Sequence, residues 1–227
     1  MEDFIRKIAE NKKNYVFIGE AGSGKTETAL NYALALKEKG DRKVHFFDMD
    51  QTKPLLRARD SSRVLEDEGV TFHCQWQYLD SPVVASGVIE ALNNEDYYVI
   101  LDVGGGSHGS HMIGQFAEYI NRDNTEVFYL INPYRPWSGS REDIDYTMSR
   151  VLGTASIRAT SVIANPNLGY ETDLDTILKG VKKVEEMFPD VPVKFVVAMD
   201  EHRKEVEKQT GYDVFPINLN TLLEWLD

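Results

Sequence analysis

The chain has 227 residues, 42% hydrophobic and 27% charged, enough apolar material for the core of one domain spanning residues 1–227. Lys and Arg number 25 against 37 Asp and Glu, and the formal charge of −12 repels phosphodiester backbones and anionic headgroups, so nucleic acid and membrane surfaces are disfavoured as partners. The single cysteine, Cys74, excludes an intrachain disulfide framework; with neither a signal-type N-terminus nor an apolar run of the about 18 residues a spanning helix needs, the expected compartment is the cytoplasm.

In chain order, Phe4 to Lys12 has helical spacing, and Tyr15 to Ile18 is a short, continuously apolar run of the kind buried on both faces of a parallel sheet. Next come Gly19-Glu20-Ala21-Gly22-Ser23-Gly24-Lys25-Thr26 and a helical pattern through Ala29, Leu30, Ala33, Leu34 and Leu36, closed by Gly40. The octapeptide fits Gly-x-x-x-x-Gly-Lys-[Ser/Thr] between a strand and a helix, the context in which backbone N–H groups and a helix N-terminus wrap a phosphate chain. Lys25 then reaches the β- and γ-phosphates, and the Thr26 hydroxyl is a Mg²⁺ ligand.

A second strand, Val44 to Phe47, runs into Asp48-Met49-Asp50, whose two carboxylates alternate along the chain and so share a direction. A third, Tyr97 to Leu101, ends in Asp102-Val103-Gly104-Gly105-Gly106. Asp102 is the expected acid on the metal opposite Thr26, Asp48 stands on the metal side, and Asp50 is the candidate that orients an attacking water. Asp50 also reads as an ordinary turn acid or helix N-cap.

Taken together, the phosphate loop, Phe47-Asp48-Met49-Asp50 and Leu101-Asp102-Val103-Gly104-Gly105 resemble the MinD/ParA and cobyrinic-acid-synthase-like group of P-loop ATPases of the SIMIBI class. The resemblance covers most of the chain. It implies a nucleotide switch that binds ATP and Mg²⁺, hydrolyses ATP slowly, often as a homodimer sandwiching two nucleotides, and is read by a protein partner. Many members carry a second lysine just after the first glycine of the loop, which crosses to the partner's nucleotide. Here that position is Glu20, a departure that puts a lysine-in-trans mechanism in doubt.

Further strands are expected at Val127 to Ile131, Ser161 to Ala164 and Val193 to Val197, and helices at Val83 to Asn93, Ile113 to Asn121, Glu142 to Leu152, Leu174 to Phe188, Glu201 to Thr210 and Asn220 to Leu226. Strand and helix alternating in this way predict an α/β fold, doubly wound, with a mainly parallel sheet and helices on both faces. After the strand ending at Ala164 comes Asn165-Pro166-Asn167, where related folds set an Asn against the purine; Asn165 is the candidate for the adenine edge, although the stretch is also a generic turn. The GTPase motif Asn-Lys-x-Asp is missing there, which favours ATP. Tyr134-Arg135-Pro136-Trp137 supplies residue types that anchor interfaces or, equally, cap a core.

Two other functions stay open at this level. Lys53, Arg57 and Arg59 beside Asp50 could hold an anionic substrate, making an ATP-dependent phosphotransferase or ligase. His108 and His111, three apart after the glycines, are the support for a GTP-dependent metal-insertion factor. His73 and Cys74, with Gln75-Trp76, form a weaker cluster that reads as a strand edge.

Overall fold

The computed structural model describes residues 4–5, 7, 11–50, 62–74 and 87–219, with side chains for all but 106–108. Eight strands, β1 (Asn14–Ile18), β2 (Lys43–Asp48), β3 (Thr71–Cys74), β4 (Tyr97–Asp102), β5 (Thr125–Ile131), β6 (Ser161–Ala164), β7 (Val193–Met199) and β8 (Val214–Ile217), form one sheet in the order β3-β2-β4-β1-β5-β6-β7-β8. All pairings are parallel. Six of these strands coincide with the short apolar runs. The other two, β3 and β8, are the edges of the sheet, where one neighbour suffices and the sequence signal weakens. In β8, Pro216 lacks an N–H and is tolerated because hydrogen bonding is required on one side only.

Side chains alternate between two cores. Val16, Ile18, Phe47, Val99 and Leu101 face one core, covered by α2 (Val88–Asn93), α3 (Gly106–Gly114), α4 (Ala117–Ile120), α5 (Arg141–Ala155), α6 (Leu174–Met187) and α7 (Arg203–Thr210). Tyr15, Phe17, Phe46, Tyr98 and Ile100 face the other, covered by Phe4, Ile5, Leu65 and α1 (Lys25–Lys39). Residues wet on neither side explain why the central runs are continuously apolar. Helix α1 stops at Gly40, which adopts φ +74°.

The helix expected at Ile113 to Asn121 is instead two, α3 and α4, and it begins at Gly106. Glycine's low helix propensity hides this start in the sequence. Of the other expected helices, Phe4 to Lys12 is described in part and is helical at Phe4, Ile5 and Lys7; residues 83–86 and Asn220 to Leu226 lie outside the described residues. No helix among the described residues is long and apolar enough to cross a membrane.

From β1 the chain moves out to β2 and β3, returns through β4 beside β1, and then continues as β5 on the opposite side of β1. The crevice beyond the C-terminal ends of β1, β4 and β5 is therefore the topological switch point, the place where open α/β sheets bind ligands.

Candidate functional site

The loop joining β1 to α1 occupies that crevice. Its ammonium partner is internal: Lys25 Nζ donates to the Glu20 carbonyl at 2.8 Å, with Lys25 only 7% exposed. Gly24 takes φ +89°, and a Cβ there would collide with the side-chain amide of Asn165. Glycine is required on both counts.

Asp48 and Asp102 are register partners on β2 and β4, two residues beyond Phe46 and Ile100, and so point to the face that α1 covers. The first turn of α1 brings Thr26 to the same place, and its hydroxyl donates to Asp102 Oδ2 at 2.8 Å. Asp102 is fully buried and Asp48 is 9% exposed. The Asp48 carboxylate accepts the Asp50 backbone N–H at 3.0 Å, and Met49 N–H donates to the Asp102 carbonyl at 2.9 Å, so the ends of β2 and β4 are knitted together. Asp50 lies against Gly104, where a Cβ would come within 2.8 Å of Asp50 Oδ1; at Gly105 a Cβ would stand 2.9 Å from Ala21 N. Thus the segment after Asp48, the glycines after Asp102 and the phosphate loop are packed as one cluster.

Hydroxyl and carboxylate oxygens are the hard donors that Mg²⁺ takes, and Thr26 with Asp102 and Asp48 matches that donor set. Among the described residues no group of three or more His, Cys, Asp and Glu side chains could hold a metal ion. The side chain of His108, and Lys53, Arg57, Arg59, Gln75 and Trp76, lie outside the described residues. His73 belongs to edge strand β3, and its Nε2 meets Nδ1 of His45 on β2 at 3.0 Å. Burial holds both imidazoles below their ordinary range, and the neighbouring His73 and Lys43 add to the effect on His45.

Asn165, 2% exposed, follows β6 and donates from Nδ2 to the Ser23 carbonyl at 2.8 Å, clamping the phosphate loop; among the described residues its Oδ1 has no hydrogen-bond partner. Glu20 turns to α5, where Arg150 Nη2 stands 3.8 Å from its Oε1. The Tyr129 phenol is pushed up to about 12, mainly by burial, with the Thr147 hydrogen bond opposing, Glu20 adding to the rise and Arg150 countering it.

Two site residues went unrecognised in the sequence. Arg150 had no motif around it. Arg135 did stand in a flagged segment, yet as an interface anchor, and it proves to reach the phosphate loop, Nε donating to the Gly22 carbonyl at 3.0 Å. Its place just after β5, the strand beside β1, was the available signal. Of its neighbours, Tyr134 donates to the Thr176 carbonyl at 2.5 Å and packs on Gly180, and Trp137 is 39% exposed.

No protein-family model and no curated protein matches this sequence. Solved structures share its fold. The cell division protein FtsY of Thermotoga maritima aligns at 16% identity with a TM-score of 0.53, over 82% of this chain and 62% of its own. The signal recognition particle receptor FtsY of Elizabethkingia anophelis aligns at 18% and 0.56, over 97% of this chain and 70% of its own. The signal recognition particle 54 kDa protein of Aeropyrum pernix, in complex with GDP, aligns at 18% and 0.52, over 82% of this chain and 41% of its own. This chain thus spans less than two thirds of the first and third of these. The common architecture is an α/β fold of the P-loop NTPase type with an all-parallel sheet, and it does not single out the MinD/ParA group.

Proposed function

We propose that this chain is a Mg²⁺-dependent ATP-binding protein, a slow ATPase whose nucleotide state is read by a protein partner. The observation that carries this reading is the bond from Thr26 Oγ1 to Asp102 Oδ2, formed at the mouth of the phosphate loop by residues 76 positions apart. A Gly-rich turn without ligands has no need to bring a hydroxyl from α1 and a buried carboxylate from β4 to one point.

The roles follow from position. Backbone N–H groups from Gly19 to Thr26, with Glu20, Ala21, Gly22 and Ser23 between, wrap the phosphates, and Lys25 exchanges the Glu20 carbonyl for phosphate oxygens. Thr26, Asp102 and Asp48 would hold Mg²⁺, which would supply charge neutralisation at the phosphates, while Asp50, set against Gly104, orients the attacking water. Among the described residues the Oδ1 of Asn165 has no partner and can accept a hydrogen bond; on the edge that carries N7, adenine offers the N6 amino donor where guanine offers the O6 acceptor, although guanine has N1–H and N2 donors on its other edge. That supports ATP, and the GDP named with the Aeropyrum pernix neighbour makes GTP the competitor to test. Movement of Asp50 and Gly104–Gly105 with the nucleotide is the signal, and exposed Trp137 beside Arg135 is the candidate anchor for a partner or a second copy.

Titration calorimetry with Mg·ATP and Mg·GTP tests the reading. Hydrogen bonds to charged groups contribute about 1.5–3 kcal/mol, so Lys25→Ala is expected to weaken Mg·ATP binding by at least roughly tenfold. Undiminished affinity in that variant would refute the phosphate-loop assignment.

A further inference from the structure

Among the described residues no carboxylate pairs with Arg135, although the chain carries a net charge of −12. Among the described residues its guanidinium makes one hydrogen bond, from Nε to the Gly22 carbonyl at 3.0 Å, and no ion pair. A guanidinium has five N–H donors, so the four on its Nη atoms remain for something else, and Arg135 is exposed at the rim of the loop.

We propose that Arg135 is a phosphate-binding residue acting within its own chain, placing its Nη groups on the polyphosphate of a bound nucleoside triphosphate. The proposal rests on the nucleotide reading above and adds a residue to that site.

Three features of the structure make the arginine part of the site. The approach is built into Gly22, which has φ +73° and whose missing Cβ would lie 3.0 Å from Arg135 Nε and 3.4 Å from its Cδ. The backbone that carries Arg135 is fixed before any ligand arrives. Its N–H donates to the Asn132 carbonyl at 3.2 Å, Ser138 N–H donates to the Arg135 carbonyl at 2.9 Å, and Tyr134 N–H donates to Asn132 Oδ1 at 3.1 Å. Asn132, itself 1% exposed, donates from Nδ2 to the Asn167 carbonyl at 2.7 Å, and Tyr134 ties the same turn to α6. Ordering cost is thereby met in folding rather than in binding.

The third feature is charge. Glu20 stands where relatives of the resembled group carry a lysine, and adds a carboxylate to a loop that must hold a polyanion. Arg150 at 3.8 Å answers that carboxylate, and among the described residues Lys25 from within and Arg135 from the rim are cations that touch the loop backbone. A planar fork that binds the loop through Nε and phosphate through Nη suits arginine and not lysine.

The test measures dissociation constants of adenosine, AMP, Mg·ADP and Mg·ATP at several salt concentrations, for wild type, Arg135→Ala and Arg135→Gln, with thermal melts as a folding control. Gln keeps an N–H donor for the Gly22 carbonyl and removes the charge. Both variants are expected to bind Mg·ATP about tenfold more weakly, with a shallower salt dependence, and to bind adenosine and AMP within about twofold of wild type. If Gln retains wild-type affinity while Ala loses it, Arg135 only props the loop and the proposal fails. Equal losses for adenosine and Mg·ATP, or no loss at all, overturn it too, with nucleotide binding by wild type left standing. A wild type that binds none of these ligands overturns the nucleotide reading itself.

Discussion

Thr26 and Asp102 meet through a 2.8 Å hydrogen bond, the one at the start of α1 and the other at the end of β4. The carboxylate is fully buried and the hydroxyl has one donor, so this pair holds a position that a divalent cation would take over.

Asp102→Asn keeps the shape and removes the charge. Expected is a loss of about tenfold in Mg·ATP affinity, with binding in EDTA unchanged, since the lost group acts through the metal. Asp50→Ala is expected to leave affinity within twofold and to lower single-turnover hydrolysis by about a hundredfold, because orienting water matters in the transition state alone. Equal losses of binding in the two variants would make Asp50 a metal ligand.

Asn165 serves the loop through Nδ2 and has an oxygen to spare. Asn165→Ala strands the Ser23 carbonyl, an expected cost of about 1–3 kcal/mol measured by urea denaturation. The same variant is expected to lose preference for ATP over GTP in a competition assay. A wild type that prefers GTP would refute the adenine assignment and return the metal-insertion function to contention.

Glu20 and Arg150 are a partly exposed pair, 16% and 45% by side chain, so a double-mutant cycle on thermal stability should give a coupling below about 1 kcal/mol. Glu20→Lys sets two cations together and is expected to release Arg150, with Glu20→Lys/Arg150→Glu restoring the melting temperature. Light scattering with ATP checks the functional side: self-association, where it occurs, is expected to be unaffected or strengthened by Glu20→Lys. Dissolution of a wild-type dimer by that change would show Glu20 making a contact across the interface.

His45 and His73 are held below the ordinary value of 6.5 in the folded chain, so the unfolded chain binds protons first as pH falls. Their contribution is complete above about pH 6.5 and is lost progressively below it. Urea midpoints are expected to decline from pH 7 to pH 5, and less so in His45→Gln/His73→Gln. An identical decline in both proteins would place the sensitivity elsewhere.

Local signals in the chain were enough for the α/β class, six of the eight strands and the phosphate loop. A strand buried on both faces must be continuously apolar, and a loop that wraps phosphate must carry glycines at set spacing before a helix. The places of Thr26, Asp48 and Asp102 at the ends of such elements were legible for the same reason. What needed the tertiary structure was every contact between loops that follow different strands. Arg135 reaches Gly22 because β5 lies beside β1, Asn165 clamps Ser23 because β6 lies beside β5, and Glu20 meets Arg150 because α5 packs over the loop. Strand order is not written in hydrophobic period, which records only which way a side chain faces; it is decided by how the crossovers pack, and so are the partners of a loop's side chains.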